Sequence, residues 1–312
     1  MFPLWYSPIY TEGLDPEARF PRERYRLVME SLSEDVREGR LRFREAERMD
    51  PEDLYLVHDH AYVRDFLNGT LDDSMVRRIG LRPWTEAIVE RTLILTGGTI
   101  EATRQAVSES GFAGNLGGGT HHAYRDFGSG YCIFNDLAVA AKVAQRDFGI
   151  RRVVILDLDV HQGDGTAAIF ENDSSVTTVS FHCGKNFPFR KMKSDYDMSL
   201  DEGIGDSEYL DGVERFVSRE LAPMEFDLLF FQGGVDALET DRLGHLSLSR
   251  EGMMRRNELV LDFARAKGIP LVITMGGGYG EPIETSVAAH ADLFRQASHS
   301  SPSPGDVSLP QA

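Results

Sequence analysis

The chain has 312 residues, 41% of them hydrophobic, which is enough for a sizeable core in one large or two smaller domains. Lysine and arginine number 33 against 50 aspartates and glutamates, so the formal net charge is -17. This charge opposes binding to nucleic acid or to an anionic membrane and suits a cationic substrate better. With Cys132 and Cys183 as its two cysteines, the chain cannot form a disulfide framework, which favours a reducing compartment.

The N-terminal segment MFPLWYSPIY lacks the basic stretch and the long apolar run of a secretory signal. No run of about 18 apolar residues, the minimum for a membrane-spanning helix, occurs in the chain. The sequence therefore predicts a soluble, cytoplasmic protein that binds neither nucleic acid nor membrane. It carries no signal for an oligomeric state.

The first hundred residues are predicted to be mostly helical, after an edge strand at LWYSPIY. Beyond them, short apolar runs alternate with longer amphipathic stretches, which is typical of a parallel sheet covered by helices on both faces. The predicted strands are 112–118, 152–160, 176–182, 227–234 and 270–278. The predicted helices include 85–109, 135–147, 208–222 and 250–267. The fold class is α/β, with one domain and an open, mainly parallel sheet.

The last residues, SHSSPSPGDVSLPQA, differ in composition from the rest of the chain. Ser, Pro and Gly dominate there, and little apolar surface is available for burial. The domain is therefore predicted to cover 1–297, and 298–312 to form a disordered tail.

Polar residues cluster where the predicted strands end, and in open α/β sheets ligands bind at those carboxyl ends. The segment DLDVHQGDG ends one buried strand and brings Asp157, Asp159, His161 and Asp164 within eight residues. Alternation along the strand places the first three on one side, where crowded acids need a positive charge. Carboxylate with imidazole suits zinc or a related first-row metal, and three such ligands with an open position suit catalysis. Asp236, after FFQGG at the same edge, is the predicted third ligand beside Asp159 and His161.

The ordinary role of an aspartate near a strand end is capping or loop hydrogen bonding. The density of acids in DLDVHQGDG favours the metal site instead. His121 and His122 follow three glycines, and two adjacent imidazoles near a dication should have separated pKa values, one of them suited to proton transfer near neutrality. Asp157 and Asp164 could each hold one histidine tautomer. Tyr279, after Gly276 to Gly278, could donate a hydrogen bond to a developing oxyanion.

Together, GGGTHHA, GSGYCIFND, DLDVHQGDGT, VSFH, QGGVDALETDRLGHLSLS and GGGY resemble, in order, the motifs of metal-dependent histone deacetylases of the arginase/deacetylase fold. The resemblance runs from about Trp5 to about residue 297. The run DRLGHLSLS and the compact length are more similar to the class IV branch and its bacterial relatives than to the longer classes.

The resemblance implies four groups of site residues. The ligands of one catalytic zinc ion would be Asp159, His161 and Asp236. In the catalytic group, His122 would be the general base and then the general acid, and His121 would assist it electrostatically. Asp164 and Asp157 would orient these two histidines. Tyr279 would polarise the acyl carbonyl. The substrate tunnel would be lined by Gly130, Tyr131 (where the family usually has Phe), Phe187 and Leu243. A structural potassium ion would bind Asp157, Asp159, His161 and the main chain at Ser180 and Phe181.

The implied activity is zinc-dependent removal of acetyl, or longer fatty acyl, groups from lysine side chains of a protein or peptide by metal-activated water. An alternative substrate is an acylpolyamine or another small cationic acylamine. In the family that preference goes with a gatekeeper Glu, whose place Leu243 takes here, although Glu239 is nearby. Two further alternatives are a two-manganese ureohydrolase, which would need extra Asp and His ligands, and a non-catalytic acyl-lysine binder, which would not need Tyr279 and both histidines.

Overall fold

Eight parallel strands form a single sheet in the computed structural model, which describes residues 1–18, 20–81, 84–109 and 111–301. The strands are β1 Phe2–Tyr6, β2 Leu41–Glu45, β3 Phe112–Asn115, β4 Val153–Asp157, β5 Val176–Cys183, β6 Tyr196–Leu200, β7 Leu228–Gln232 and β8 Leu271–Thr274. Their order is β2-β1-β3-β8-β7-β4-β5-β6, and every neighbouring pair is parallel. The predicted α/β fold with an open, mainly parallel sheet is confirmed.

The connections between strands are mostly helical. The helices are α1 Ile9–Glu12, α2 Arg24–Ser31, α3 Ser33–Arg37, a 3-10 helix Pro51–Leu56, α4 His60–Leu67, α5 Asp73–Ile79, α6 Glu86–Glu109, α7 Asp136–Phe148, α8 Asp164–Phe170, α9 Asp206–Phe216 continued by a π-helical turn Val217–Leu221, α10 Arg250–Lys267 and α11 Ile283–Ser300. Local chemistry sets several of these bounds. Asn135 and Ser249 accept backbone N–H bonds at the starts of α7 and α10, and Gly149 and Gly268 end the same helices in the left-handed conformation. Within the described residues, none of the helices is both long and apolar enough to cross a bilayer.

Consecutive residues of β3 show that helices cover both faces of the sheet. The backbone at Gly114 faces Phe294 of α11, whereas the next side chain, Asn115, donates a hydrogen bond to the carbonyl of Leu95 in α6. Successive strand residues point to opposite faces, so α6 and α11 lie on opposite sides. Double coverage explains why β4, β7 and β8 are buried at every position and read as continuous apolar runs.

The N-terminal part of the sheet differs from the prediction. The segment LWYSPIY was expected to supply an edge strand, but β1 lies second in the sheet and β2 is the edge. The sequence of β2, LRFRE, is too polar to predict a strand, and β6, YDMSL, at the other edge was missed for the same reason. Edge strands need little apolar sequence because one side is open to water.

The first residues of the predicted tail are helical. Helix α11 runs through Ser300, so 298–300 are helical, and 302–312 lie outside the described residues. Leu293, Phe294 and Ala297 are fully buried on one face of α11. Because these side chains are packed in the core, the helix continues beyond residue 297, where the composition becomes polar.

Arg256 of α10 is fully buried and connects the loops that follow two central strands. Its Nη1 donates hydrogen bonds to the carbonyls of Leu158, at 3.2 Å, and Gly234, at 2.6 Å, and its Nη2 donates to the carbonyl of Gly233 at 3.3 Å. These carbonyls lie just past the ends of β4 and β7. The guanidinium therefore pairs the buried carbonyls of Gly233 and Gly234, and it shares the Leu158 carbonyl with the Tyr209 hydroxyl.

Replacing Arg256 with Leu should lower the free energy of unfolding by about 3 kcal/mol or more, because each buried carbonyl left unpaired costs roughly 1–3 kcal/mol. Urea denaturation monitored by circular dichroism measures the change. The matched control is Arg255→Leu in the adjacent position, whose guanidinium is at the surface beside Glu258. Equal destabilisation by the two variants would contradict the role assigned to Arg256.

Candidate active site

The site is built from loops at the carboxyl ends of five strands that are neighbours in the sheet, in the order β3-β8-β7-β4-β5. In register, Asp157 at the end of β4 lies beside Gln232 of β7 on one side and Ser180 of β5 on the other. Gln232 in turn lies beside Thr274 of β8. Loops from distant parts of the chain therefore emerge side by side at one edge.

Asp159, His161 and Asp236 come together and are buried, and each offers a ligand atom within 4.8 Å of the others. The Nδ1 of His161 lies 3.0 Å from Asp159 Oδ1 and 3.1 Å from Asp236 Oδ2. Two carboxylates and an imidazole in this arrangement form a possible metal site. The sequence-predicted ligands are therefore adjacent in the structure.

The electrostatics of this cluster favour binding of a cation. Burial would lower the pKa of His161, but hydrogen bonds to Asp159 and Asp236 raise it to about 10. Burial and the negative charge of Asp159 raise the pKa of Asp236 to about 7. In the metal-free protein, the proton on His161 partly neutralises the two carboxylates. A divalent cation bound there would supply the positive charge in its place.

Backbone and side-chain donors hold the two carboxylates in place. Asp159 Oδ2 accepts hydrogen bonds from Gln232 Nε2 at 3.0 Å and from the N–H of Gly277 at 2.8 Å. Asp236 Oδ1 accepts the N–H of Val160 at 2.9 Å. A Cβ atom on Gly277 would collide with the Asp236 carboxylate, so this position requires glycine. The ligands are therefore oriented before any metal binds.

His121 pairs with Asp157. Its Nδ1 lies 2.6 Å from Asp157 Oδ2, and both residues are buried. Burial would lower the pKa of His121, but the charge of Asp157, that of Asp159 and the hydrogen bond together raise it to about 9. His121 is therefore cationic at neutral pH in the metal-free protein.

His122 has the opposite behaviour, although the two rings are only 4.0 Å apart between centroids. Its Nδ1 lies 2.6 Å from Asp164 Oδ1, and Asp164 also accepts a hydrogen bond from the Tyr124 hydroxyl at 2.8 Å. Burial and the positive charge on His121 lower the pKa of His122 to about 4 despite the carboxylate. The two pKa values are therefore separated, as predicted, but in the metal-free protein neither lies near neutrality; His122 is the neutral imidazole of the pair.

Tyr279 follows a glycine turn that passes over the metal-site cluster. Its N–H donates to Asp241 Oδ2 at 2.6 Å, and its ring lies 6.0 Å from that of Tyr131. Arg24 supports the turn from below, with Nη1 and Nη2 donating to the carbonyls of Gly278 and Gly276, each at 2.9 Å. Burial raises the pKa of the Tyr279 phenol well above its usual value. The hydroxyl therefore keeps its proton and can act as a hydrogen-bond donor.

A cavity of about 460 Å³ leads to these groups, and all four predicted tunnel residues line it: Gly130, Tyr131, Phe187 and Leu243. The ring of Phe187 packs edge-on against His122, with 4.8 Å between centroids. A Cβ atom on Gly130 would lie 2.7 Å from His122 Cδ2 and 3.0 Å from Phe187 Cε1, so a side chain there would close the passage. Tyr131 has φ of 67°, a strained conformation of the kind that concentrates at functional sites.

Sequence reasoning missed two residues of this site. Gln232 was read as part of a buried strand, but it is the last residue of β7 and bonds to Asp159. Arg24 lies within the span of the resemblance, but it was assigned no role from the sequence. Position at the strand end could have indicated Gln232, whereas Arg24 contacts Gly276 and Gly278 across more than 250 residues, and no local pattern predicts that.

Two other histidines and both cysteines are buried. His58 is buried, with Nδ1 2.9 Å from the carbonyl of Tyr124, and its Nε2 accepts the N–H of Asn135. His182 is buried with its Nδ1 3.0 Å from Ser180 Oγ. Cys132 and Cys183 are free and buried.

Comparisons with known proteins identify the family and the fold. The family model described as histone deacetylase domain matches residues 18–293. An uncharacterized protein of Picosynechococcus sp. is 43% identical over 296 residues, covering 95% of this chain and 98% of that protein. Histone deacetylase 2 of Arabidopsis thaliana is 32% identical, covering 79% of this chain, which spans 65% of the Arabidopsis protein's length. The crystal structure of the HDA15 HD domain matches with a TM-score of 0.77 at 22% identity, over 94% of this chain and 90% of that one, which shows the shared fold.

The chain belongs to the histone deacetylase family, and the resemblance found in the sequence is confirmed. Relatives include histone deacetylases and a histone deacetylase-like amidohydrolase of Pseudomonas aeruginosa. The family assignment indicates a deacetylase or amidohydrolase enzyme, as predicted.

Replacing Asp157 with Asn should bring the pKa of His121 from about 9 to below its ordinary 6.5, because burial then acts with less opposition. In the wild-type metal-free protein the folded-state pKa exceeds the unfolded one. The stability contributed by His121 is therefore fully present below about pH 6.5 and is lost as the pH rises through about 9. Imidazole ¹H–¹⁵N NMR titration of the metal-free protein measures both pKa values. Asp126→Asn, at the surface, is the control, and an unchanged pKa in the Asp157 variant would disprove the pairing.

Proposed function

We propose that the protein is a zinc-dependent amide hydrolase that removes acyl groups from acyl-lysine side chains. One observation carries this proposal: a neutral imidazole, a protonated phenol and a carboxylate–imidazole cluster meet at the end of one cavity. The imidazole and the cluster are buried and hydrogen-bonded, and the backbone of Tyr279 is held by Asp241, so their relative positions are largely set before substrate binds. The family assignment supports the reaction class.

Asp159, His161 and Asp236 would hold the zinc ion, and the excess of buried negative charge around them supports this assignment. When bound, zinc would supply Lewis-acid polarisation of the amide carbonyl and lower the pKa of a water molecule. Three ligands with carboxylate and imidazole donors match a catalytic rather than a structural site.

The side chains of this chain would move the protons. His122, neutral at pH 7 and oriented by Asp164, would accept a proton from the attacking water and return it to the departing lysine amine. His121, held cationic by Asp157, would stabilise negative charge beside it. Tyr279 would donate its hydroxyl proton as a hydrogen bond to the oxyanion that forms from the carbonyl.

The tunnel residues would bind the substrate. Gly130, Tyr131 and Phe187 would enclose the methylene stem of the lysine, which suits their apolar or small side chains. Phe20, Tyr25 and Leu95 also line the cavity, which supports acceptance of an acyl group longer than acetyl. Comparing turnover of acetyl-, octanoyl- and myristoyl-lysine peptides tests the chain length.

We also propose the potassium site at Asp157, Asp159, His161, Ser180 and Phe181. It is supported by the register of the sheet, which pairs Asp157 of β4 directly with Ser180 of β5. A bound monovalent cation there would offset the carboxylate of Asp157 on the side away from His121.

The purified protein should bind one zinc ion per chain, and Asp236→Asn should weaken zinc binding by about 100-fold or more because a ligand charge is lost. Metal content by mass spectrometry and competition with a zinc-selective dye measure both. The control is Asp195→Asn, a carboxylate bonded to Thr178 outside the cluster. Two tightly held manganese ions would instead support the ureohydrolase alternative.

Tyr279→Phe should reduce kcat on an acetyl-lysine peptide about 100-fold or more, with KM little changed, because one oxyanion donor contributes about 2.7–4 kcal/mol. Removing one hydroxyl elsewhere, as in Tyr55→Phe, should have no such effect. Steady-state kinetics with zinc-loaded protein decide the matter. Near-normal kcat in Tyr279→Phe would remove this residue from the mechanism.

A further inference from the structure

The mouth of the active-site cavity has a charge opposite to that of the whole chain. Among described residues that line the cavity, the carboxylates are the inner pair Asp159 and Asp236, whereas the outer part includes Arg78 and Lys185. The net charge of the chain is -17. The positive mouth is thus a local feature of an acidic protein.

The loop after β5 concentrates this positive charge. Residues 184–193, GKNFPFRKMK, contain four basic residues and no acidic one. Phe187 of this loop packs against His122, so the loop forms one wall of the passage. Lys191 holds the loop together by donating to the carbonyls of Asn186 and Pro188, each at 2.6 Å. Phe189, at the loop's outer end, also lines the cavity and is 93% exposed.

Arg78, on the last turn of α5, belongs to the facing wall. The carbonyl of Arg78 accepts the N–H of the tunnel residue Gly130 at 3.3 Å, and its guanidinium lies 4.5 Å from the centroid of the Phe127 ring. The Phe127 ring stacks on that of Tyr124, with 4.4 Å between centroids. Arg78 is therefore fixed at the entrance by contacts on two sides.

Arg190 belongs to the basic loop and directly follows Phe189, which lines the cavity. Its place in the loop puts Arg190 at the same entrance as Arg78, on the facing wall. Both side chains are exposed.

These guanidinium groups are available to a ligand. Lys185 is already paired with Glu202, at 2.7 Å, and Glu202 also lies 3.0 Å from His245 Nδ1. Across the part of the chain that the structure describes, neither Arg78 nor Arg190 has an acidic side chain within 4.0 Å. Their charge is therefore not offset by the protein itself.

We propose that this mouth selects acyl-lysine peptides whose neighbouring residues are acidic, with Arg78 and Arg190 binding the flanking carboxylates. The inference rests on the proposed function, since the acyl-lysine must reach the same cavity. Screening by salt determines whether the charge near the entrance or the charge of the whole chain has the greater effect on a bound peptide. At about 0.15 M salt the Debye length is about 8 Å, so exposed charges farther away contribute little to a peptide held at the entrance. Planar guanidinium groups also suit bidentate contact with carboxylates.

The proposal disfavours cationic acylpolyamines. A polyamine would bring its second ammonium group close to Arg78 and Arg190, and like charges at a short distance raise the free energy of the complex. A basic, histone-tail-like peptide would meet the same repulsion. The overall acidic charge alone suggested the opposite preference.

The test uses two fluorescein-labelled peptides of equal length with a central acetyl-lysine, flanked on both sides either by aspartates or by arginines. With zinc-loaded full-length protein at about 0.15 M salt, where the distant acidic charges are screened, the acidic peptide should show a kcat/KM and an affinity at least about tenfold higher. At about 0.5 M salt this preference should shrink to about twofold or less. Fluorescence anisotropy measures binding separately from turnover.

The double variant Arg78→Glu/Arg190→Glu should abolish or reverse the preference. Arg219→Glu, exposed in the π-helical turn before β7 and so at the opposite edge of the sheet, is a single charge reversal that should leave the preference intact. Equal affinities of the wild-type protein for the two peptides, or an unchanged preference in the double variant, would overturn the proposal. A retained binding preference without turnover would instead disprove the hydrolase function and leave the mouth's selectivity standing.

Discussion

The excess of buried negative charge at the carboxyl edge of the sheet is the constraint on which the rest of the site depends. Asp159 and Asp236 lie side by side, and both are almost completely buried. Burying two such charges uncompensated would cost several kcal/mol each. Backbone N–H groups, the amide of Gln232 and the ring of His161 each offset part of this charge. A divalent cation would complete the compensation, and the glycine turn before Tyr279 passes in contact with both carboxylates.

The same charge imbalance separates the two adjacent histidines. His121 lies close enough to Asp157 and Asp159 to be held cationic. That positive charge then helps to keep His122 neutral. One imidazole is therefore prepared to stabilise negative charge and the other to take up a proton, although the two residues are neighbours in sequence and have the same chemistry. Environment, not residue type, assigns the roles.

Sequence could predict the parts of this arrangement that are dense and local. DLDVHQGDG places more acids at the end of one apolar run than capping and loop hydrogen bonds require. Because ligands of open α/β sheets bind at the carboxyl ends of the strands, the segment can then be connected with Asp236 and Tyr279. Contacts that depend on tertiary structure could not be predicted from the sequence. Arg24 supports the glycine turn from a helix near the other end of the chain, and β2 is too polar to be recognised as a strand. Net charge is a weak guide to the substrate, because a sum over the chain contains no information about which charges surround the cavity.

Strand β8 is the last strand in the sequence, yet it lies in the middle of the sheet, between β3 and β7. On a ribosome, the first seven strands emerge before it and can form two smaller sheets, β2-β1-β3 and β7-β4-β5-β6, each with an unpaired inner edge. Such edges are templates for aggregation until they are covered. The protein therefore depends on the arrival of four residues, Leu271–Thr274, to join its halves. Until that strand is in place, the growing chain is a natural client for chaperones.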